Sequence, residues 1–383
     1  MLSIVVLVAQ LTAIVFFADW LAKRPGWIKD HLSEVESTRF QEIDGLRGIL
    51  ATGVFLHHAY INWGISQGRN WTMPFDGVFA FIGPGGVLFF FFITAFLFWN
   101  KAIKGNGAVP LLPLLGNRIK RIAPLYLLHA TLLVIGVLSV TGWRLQGSST
   151  DIYIQAVSVF SLGLLSWSEL NGIEPHFINA GVTWSLSFEW IFYLGLPFVA
   201  PLAKWKWASL ALAAAPILTM ALFFQHYYLD HMAAFGIGIG AAVAYNNWPQ
   251  IAELKSKAVA AFAAVILFLC MFEAREVFNW PIIVGCGTVF IAVVYGCDFW
   301  GFLNRPGVKL LGVVSYSIYL MHGFVLSLIV IPFKYFQVPQ LVWQVLTIPI
   351  GALVILTSLL TYRFVELPFI RKPKAPRLAA PSS

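Results

Sequence analysis

Charge is what this sequence has little of. Only 11% of its 383 residues are Asp, Glu, Lys or Arg, against roughly 25% in a soluble domain. With 59% hydrophobic residues and a mean hydropathy of +0.79, the chain has too little polar surface to stay dissolved. Its longest polar intervals run to about 20 residues, too short to bury a core of their own. One membrane domain is therefore expected. Cysteine is scarce as well. Cys270, Cys286 and Cys297 all fall in apolar runs, with no CxxC spacing and no neighbouring histidine cluster. This excludes a disulfide framework and a thiolate metal site, and leaves buried free thiols. The apolar run Leu2 to Trp20 has no basic segment before it and no small-residue cleavage site, so it reads as an uncleaved membrane helix.

What the sequence has in abundance is apolar stretches near the 20 residues that a membrane-crossing helix needs. They lie near 2–22, 45–62, 78–99, 119–140, 151–167, 182–203, 207–223, 229–246, 257–273, 281–300, 312–332 and 342–362. The net charge of +8 does not point to nucleic acid, because Lys and Arg sit in the short loops between these stretches, as the positive-inside rule requires. Loop charge also fixes parity. The basic loops at Lys23/Arg24/Lys29, around Lys101–Arg121, at Lys204/Lys206, at Lys255/Lys257, at Arg305/Lys309 and from Arg363 on share one side only if 151–167 does not cross. That segment contains Ser158, Ser161 and Ser166 and is read as re-entrant or interfacial. The expected fold is all-α, a polytopic transmembrane helix bundle of eleven crossings, with the N-terminus outside and the C-terminus in the cytoplasm.

Ionisable residues at membrane depth are costly, so each is a candidate for function. The sharpest group is Asp44-Gly45-Leu46-Arg47 followed by His57 and His58. At about 100° per residue, Arg47 and His58 project within about 20° of each other and lie about 16 Å apart along the axis, with His57 roughly 80° away. Neutral imidazole at that depth can take a proton from a hydroxyl. A flanking arginine and a histidine bonded to a neighbouring helix would give the same pattern. A second group, Lys101, Lys104, Arg118, Lys120 and Arg121, can hold phosphates. Positive-inside bias alone also places cations there. In the third group, Trp184 to Glu189, Ser185 and Glu189 share a helix face. They are candidates for acceptor contact or for a helix cap, with Glu189 orienting the acceptor or a histidine. The fourth runs from Ser315 and Tyr316 to His322, a second mid-depth imidazole, its hydroxyls also suiting bonds between helices. The last is Glu366 with Arg363 and Arg371, where the carboxylate would pair with an arginine at the interface. Two further sets carry less. His226, Asp230 and His231 lack a fourth metal ligand, and Gly83-Pro84-Gly85-Gly86 is expected to break the chain before a helix. No metal site is expected.

Taken in order, these groups resemble the acyltransferase-3 family of integral membrane acyltransferases. The family's DGLRG-like start, with ten residues between an arginine and a histidine, falls on Asp44, Arg47 and His58. Its Phe-rich helix, Arg-x-x-Arg-Ile-x-Pro, WSLSxE, SYSxYLxH and Glu-x-Pro elements fall on Phe89–Phe92, Arg118 to Pro124, Trp184 to Glu189, Ser315 to His322, and Glu366 to Pro368 with Arg371. The usual Ser-Gly after the Phe run is Thr94-Ala95 here, and a common tryptophan before the last histidine is Met321. The resemblance implies a ten-helix acyltransferase core over 43–371, an extra N-terminal helix and linker over 1–42, a disordered cytoplasmic tail over 372–383, and none of the soluble esterase-like domain that some members append.

It also implies transfer of an acyl group, expected to be acetyl, from cytoplasmic acyl-CoA to a hydroxyl of a sugar or glycan, with no tightly bound cofactor. His58, Arg47, Asp44 and Glu189 would form the catalytic set. Arg118, Arg121, Lys101, Glu366 and Arg371 would serve the donor, and Trp184, Ser185, Ser315, Tyr316 and His322 the acceptor side or support. The expected location is the cell membrane. A proton-coupled transporter or flippase of a glycan or lipid-linked precursor is the alternative, since buried His and Glu also suit a proton relay.

Overall fold

The computed structural model describes residues 2–370 apart from 37–39, 166–168, 224–226, 251–256, 274–275 and 334–335. Arg371, the tail 372–383 and His226 lie outside the described residues. Helices α1 (Leu2–Lys23), α2 (Trp27–Glu36), α3 (Gln41–Ser66), α4 (Gly77–Lys104) and α5 (Leu111–Val140) open the chain. Two short helices, α6 (Ser149–Val159) and α7 (His176–Asn179), precede α8 (Trp184–Val199). Then follow α9 (Lys206–Leu222), α10 (Tyr227–Asn247), α11 (Lys257–Glu273), α12 (Trp280–Val294) and α13 (Pro306–Val313). The last three are α14 (Ser315–Phe333), α15 (Gln340–Thr361) and α16 (Leu367–Ile370). Among the described residues the only β feature is an isolated bridge between Leu170 and Ile173. The fold is an all-α polytopic helix bundle, as the sequence leads one to expect.

Among the described residues, five helices are both long and apolar enough to cross a bilayer unaided: α1, α4, α5, α8 with the turn after it, and α15 with its C-terminal extension. The α13–α14 pair makes a sixth if its 76° bend is counted within one span. Eleven crossings were expected. The other five fall short of a full independent span. Three of them, α9, α11 and α12, have only 15–17 residues. The remaining two, α3 and α10, are long but too polar, with Asp44 and Arg47 in α3 and Asp230 and His231 in α10. The α6 helix has 11 residues, about 16 Å against an apolar bilayer core of about 30 Å. It starts on a reciprocal Ser148–Asp151 capping box and gives way to turns after Val159.

The α3 helix packs against α4, α13, α14 and α15, and α4 in turn against α10. Glycine makes the closest of these approaches. A Cβ on Gly48 would meet the Gly312 nitrogen and the Val308 carbonyl oxygen at 2.6 Å, and one on Gly312 would sit 2.0 Å from the Asp44 oxygen. Backbone therefore lies on backbone where α13 crosses α3, the usual use of small residues between membrane helices. Gly83-Pro84-Gly85-Gly86 differs from expectation. It lies inside α4, whose N-terminus is capped earlier by the Asp76 carboxylate on the Val78 and Phe79 nitrogens. A Cβ on Gly83 would be 2.4 Å from the His57 ring. The glycine clears room for a histidine, and neighbouring helices tolerate the proline within a membrane helix.

The N-terminal helix is fastened by one buried carboxylate. Asp19 accepts hydrogen bonds from the Arg305 guanidinium and from the Gly307 N–H, the latter at 2.6 Å. It therefore caps α13 from a distant part of the chain, where a helix N-terminus favours negative charge. Asp19→Ala is expected to cost about 1–3 kcal/mol, because the Gly307 donor loses its partner away from water. Thermal unfolding in detergent measures it. An unchanged midpoint would mean that apolar packing and the Gln10 and Ser3 hydrogen bonds hold α1 without Asp19.

Candidate active site

Two cavities lie back to back in the bundle. The larger, about 620 Å³, opens among the segments joining α3 to α4 and α5 to α8. It is walled by His57, His58, Trp71, His176, Asn179 and Trp184, among others. That volume lies within the range of about 300–1,000 Å³ usual for ligand sites. The smaller, about 120 Å³, is lined by Arg47, Arg118, Arg121, Glu189, Tyr193, Ser315 and Tyr316 together with Phe90, Phe91 and Phe98. Lys101, Lys104 and Lys120 are exposed at the same end of the bundle.

His58 is positioned by α3 and gripped by α14. Its Nδ1 lies 3.0 Å from the His322 Nε2, and its ring is stacked on that of His322 at 5.0 Å and tilted under Trp71 at 5.8 Å. The tautomers follow from one further bond. The Ile318 carbonyl can only accept, so the His322 Nδ1, 2.9 Å away, must donate to it. His322 Nε2 then carries a lone pair in the neutral ring and accepts the His58 Nδ1–H. The lone pair of His58 is left on Nε2, in a side chain that walls the larger cavity. A second histidine thus does for His58 what a carboxylate does in a hydrolase triad: it fixes the ring and its tautomer. His57 also borders this cavity, with its Nδ1 donating to the Phe79 carbonyl at 2.6 Å.

A parallel arrangement holds the cavity floor. His129, fully buried on α5, donates from Nδ1 to the Leu320 carbonyl at 2.9 Å and accepts from the Asn179 amide at 3.1 Å. Asn179 in turn accepts from the Gly181 N–H. At the mouth, the Trp71 and His176 rings lie 4.8 Å apart, and His176 Nε2 is 2.9 Å from a Glu174 oxygen.

The smaller cavity gathers charge. Arg118 lies over the Phe98 and Tyr193 rings at 4.8 and 5.7 Å, and among the described residues no carboxylate comes within 4.0 Å of it. Arg121 differs: its Nη1 is 3.6 Å from Oε2 of Glu366, which is fully buried. Glu366 closes a π-helical turn, Tyr362–Glu366, and its other oxygen accepts from Ser317 on α14. The Tyr316 hydroxyl donates to the Ile122 carbonyl at 2.9 Å and ties α14 to α5.

Several expectations about placement are corrected. Glu189 meets no histidine and does not line the larger cavity; it borders the basic one and accepts from the Tyr193 hydroxyl at 2.6 Å. One helical turn before it, Ser185 forms no cap and instead shares a 2.8 Å hydrogen bond with Tyr319. Ser315 and Tyr316 line the smaller cavity with the arginines and not the larger one, which leaves them the supporting place of the two expected. Lys101 and Asp44 line neither cavity. Asp44 instead gives its backbone to the close contact with Gly312. Glu366 is buried, not at a wet interface, because the π turn carries it inward. His231 packs between Phe188 and Phe278 with ring centroids at 4.4 and 4.0 Å. His58, His57, Trp184 and, through His58, His322 meet at the larger cavity, while Arg47, Arg118 and Arg121 meet at the smaller. Reading by sequence missed His129, Asn179, Trp71 and His176, while the Ser185–Tyr319 bond is the interhelical use expected of the hydroxyls in the Ser315–His322 group. Of these His129 was findable, being an imidazole in the middle of an apolar run.

Comparison with known families matches residues 40–363 to the acyltransferase domain of the acyltransferase-3 family. The chain belongs to that family. Among the relatives of this acyltransferase-3 protein is "Nodulation protein 10" of Rhizobium leguminosarum bv. viciae, 26% identical over 205 residues, which are 51% of this chain and 54% of that one. "Putative O-acetyltransferase" of Staphylococcus aureus (strain COL) is 25% identical over 85% of this chain and 56% of its own length. "Putative membrane-bound transacylase BcsY" of Komagataeibacter xylinus is 26% identical over 86% and 82%. The chain thus spans about half the length of the first two relatives. No solved structure matches it.

Proposed function

We propose that this acyltransferase-3 protein moves an acyl group, acetyl in the first instance, from acyl-CoA in the basic cavity to a sugar hydroxyl in the larger one. The observation that carries the reading is the His58–His322 pair, which presents the lone pair of His58 Nε2 beside a ligand-sized cavity backing onto three arginines. The basic cavity is too small for a nucleotide. It suits the thin pantetheine arm, with the phosphates left among Arg118 and the exposed lysines.

In the step itself, His58 Nε2 takes the proton of the acceptor hydroxyl as its oxygen attacks the thioester carbonyl. The C–S bond breaks, and the imidazolium returns the proton to the leaving thiolate. The products are an ester and free CoA thiol. His322 holds the His58 ring throughout and needs no charge change. The parity of the basic loops supports a donor from the cytoplasm and an acceptor reached from outside. Trp71, Trp184 and the Glu174–His176 pair at the cavity wall suit a sugar, with aromatic faces for its C–H side and polar atoms for its hydroxyls.

Two cavities meeting back to back would also suit a carrier, so release of free thiol is the deciding measurement. Purified protein is expected to release CoA thiol from acetyl-CoA when a sugar acceptor is supplied. Arg118→Gln is expected to raise the KM for acetyl-CoA severalfold with little change for the acceptor. Its dependence on salt should become shallower, because one fewer charge pair is left to screen. No thiol release from any acyl-CoA would reject the reading in favour of the carrier.

A further inference from the structure

Among the described residues, only Val87 and Tyr319 line both cavities. Tyr319 lies one helical turn before His322 on α14, and its hydroxyl meets Ser185 Oγ on α8 at 2.8 Å. Its ring stands edge-on to Phe90 of α4, with centroids 6.1 Å apart at 70°. The α8 helix straddles the same boundary, with Trp184 and Ser187 on the larger cavity and Ser185, Leu186 and Glu189 on the basic one. The boundary at this point is one layer of side chains, latched by one hydroxyl–hydroxyl bond.

Resting on the acyl-transfer reading, we propose that Tyr319, latched by Ser185 and backed by Val87, is the gate between donor and acceptor cavities and selects donors by acyl-chain length. A donor arm in the basic cavity reaches His58 only past this pair. A two-carbon acyl group needs the ring to turn only slightly. A long chain needs volume that the Tyr319 ring and the Val87 methyls occupy, since both are buried against their neighbours. The same closed latch keeps water in the larger cavity away from the thioester until an acceptor hydroxyl displaces it.

The selectivity arm compares acetyl-CoA with octanoyl-CoA in purified full-length protein. Tyr319→Ala is expected to raise the octanoyl-to-acetyl ratio of kcat/KM at least tenfold. Val87→Ala should raise it less, and it serves as the second variant if loss of Tyr319 harms folding. An unchanged ratio in either active variant overturns the proposal.

The barrier arm needs no turnover. In a background free of Cys270, Cys286 and Cys297, a cysteine replaces Thr94, which lines the basic cavity. A small charged methanethiosulfonate reagent is added to sealed vesicles on whichever side labels a cysteine placed at Arg144, in the exposed loop before α6. Labelling of Thr94→Cys is expected to be slow with Tyr319 present and fast in Tyr319→Ala. Equal rates overturn the gate whatever the chemistry proves to be. Accelerated labelling in a protein that turns over no acyl-CoA keeps the barrier, rejects acyl-chain selection, and shows that the acyl-transfer reading is what failed.

Discussion

His58→Ala is expected to lower acyl transfer about 10²–10⁴-fold, the usual worth of a positioned general base, with helix content unchanged. His57→Ala should cost much less, because its Nδ1 is already given to the Phe79 carbonyl and its ring is packed on Gly83. His322→Ala tests the pair. Without His322, His58 loses its link to α14 and keeps only its bond to the Val54 backbone, so the ring is less firmly oriented and kcat should fall while the KM values hold. His322→Gln offers an amide oxygen at about the same reach and should recover part of the loss. Steady-state kinetics with thiol release as the signal measures all four variants. Full activity in His58→Ala, or equal losses in His57→Ala and His58→Ala, would remove His58 from the base position.

Stability shows the second large effect, at Arg121. Glu366 is wholly buried and is met at close range by Arg121 and Ser317, with the Arg47 charge farther off. Arg121→Gln strands a carboxylate away from water, and breaking a buried pair in this way costs about 3–5 kcal/mol. Arg118→Gln should cost less than Arg121→Gln, because Arg118 lies over aromatic faces and the Glu189 carboxylate that it faces keeps the Tyr193 hydroxyl as a partner in an open cavity. Adding Glu366→Gln to Arg121→Gln should restore most of the loss. Thermal unfolding in detergent reads the series. A midpoint lowered equally by Arg118→Gln and Arg121→Gln would show that the Glu366 contact is incidental. The two arginines of one Arg-x-x-Arg element thus have different surroundings: Arg121 pairs with the buried Glu366, and Arg118 lies over the Phe98 and Tyr193 rings.

The helices were legible in sequence because their cause is local. Each apolar run declares its own burial, so every one of the twelve stretches holds a helix in the structure. His58 was legible for the same reason, as an imidazole where water is scarce. Its partner was harder. Ser315 and His322 share a face by spacing, but nothing in that spacing says that His322 reaches across 264 positions to His58. Glu189 shows the limit from the other side. The residue was rightly marked as costly at its depth, yet its cavity depends on how α8 lies across α5 and α14, and a one-dimensional pattern does not contain that rotation. The glycine-rich stretch in α4 misled because glycine and proline break helices in water. Between membrane helices the same residues mark where one backbone lies on another. Glu366 was placed in water because helix ends usually lie there, and only the π turn turns it inward.

The family resemblance begins at residue 40, but the folding unit does not. Asp19, twenty-one positions upstream, supplies the cap for α13, and α13 is the half-helix from which the segment bearing Tyr319 and His322 departs after the 76° bend. An appended helix that completes another helix's hydrogen bonds is a structural part of the core, whatever its ancestry. Trimming this chain to its homologous region would leave an N-terminus open in the apolar interior, directly behind the helix that carries the site. The matched region begins at residue 40, and the hydrogen bonds that start α13 are completed from two helices upstream of it.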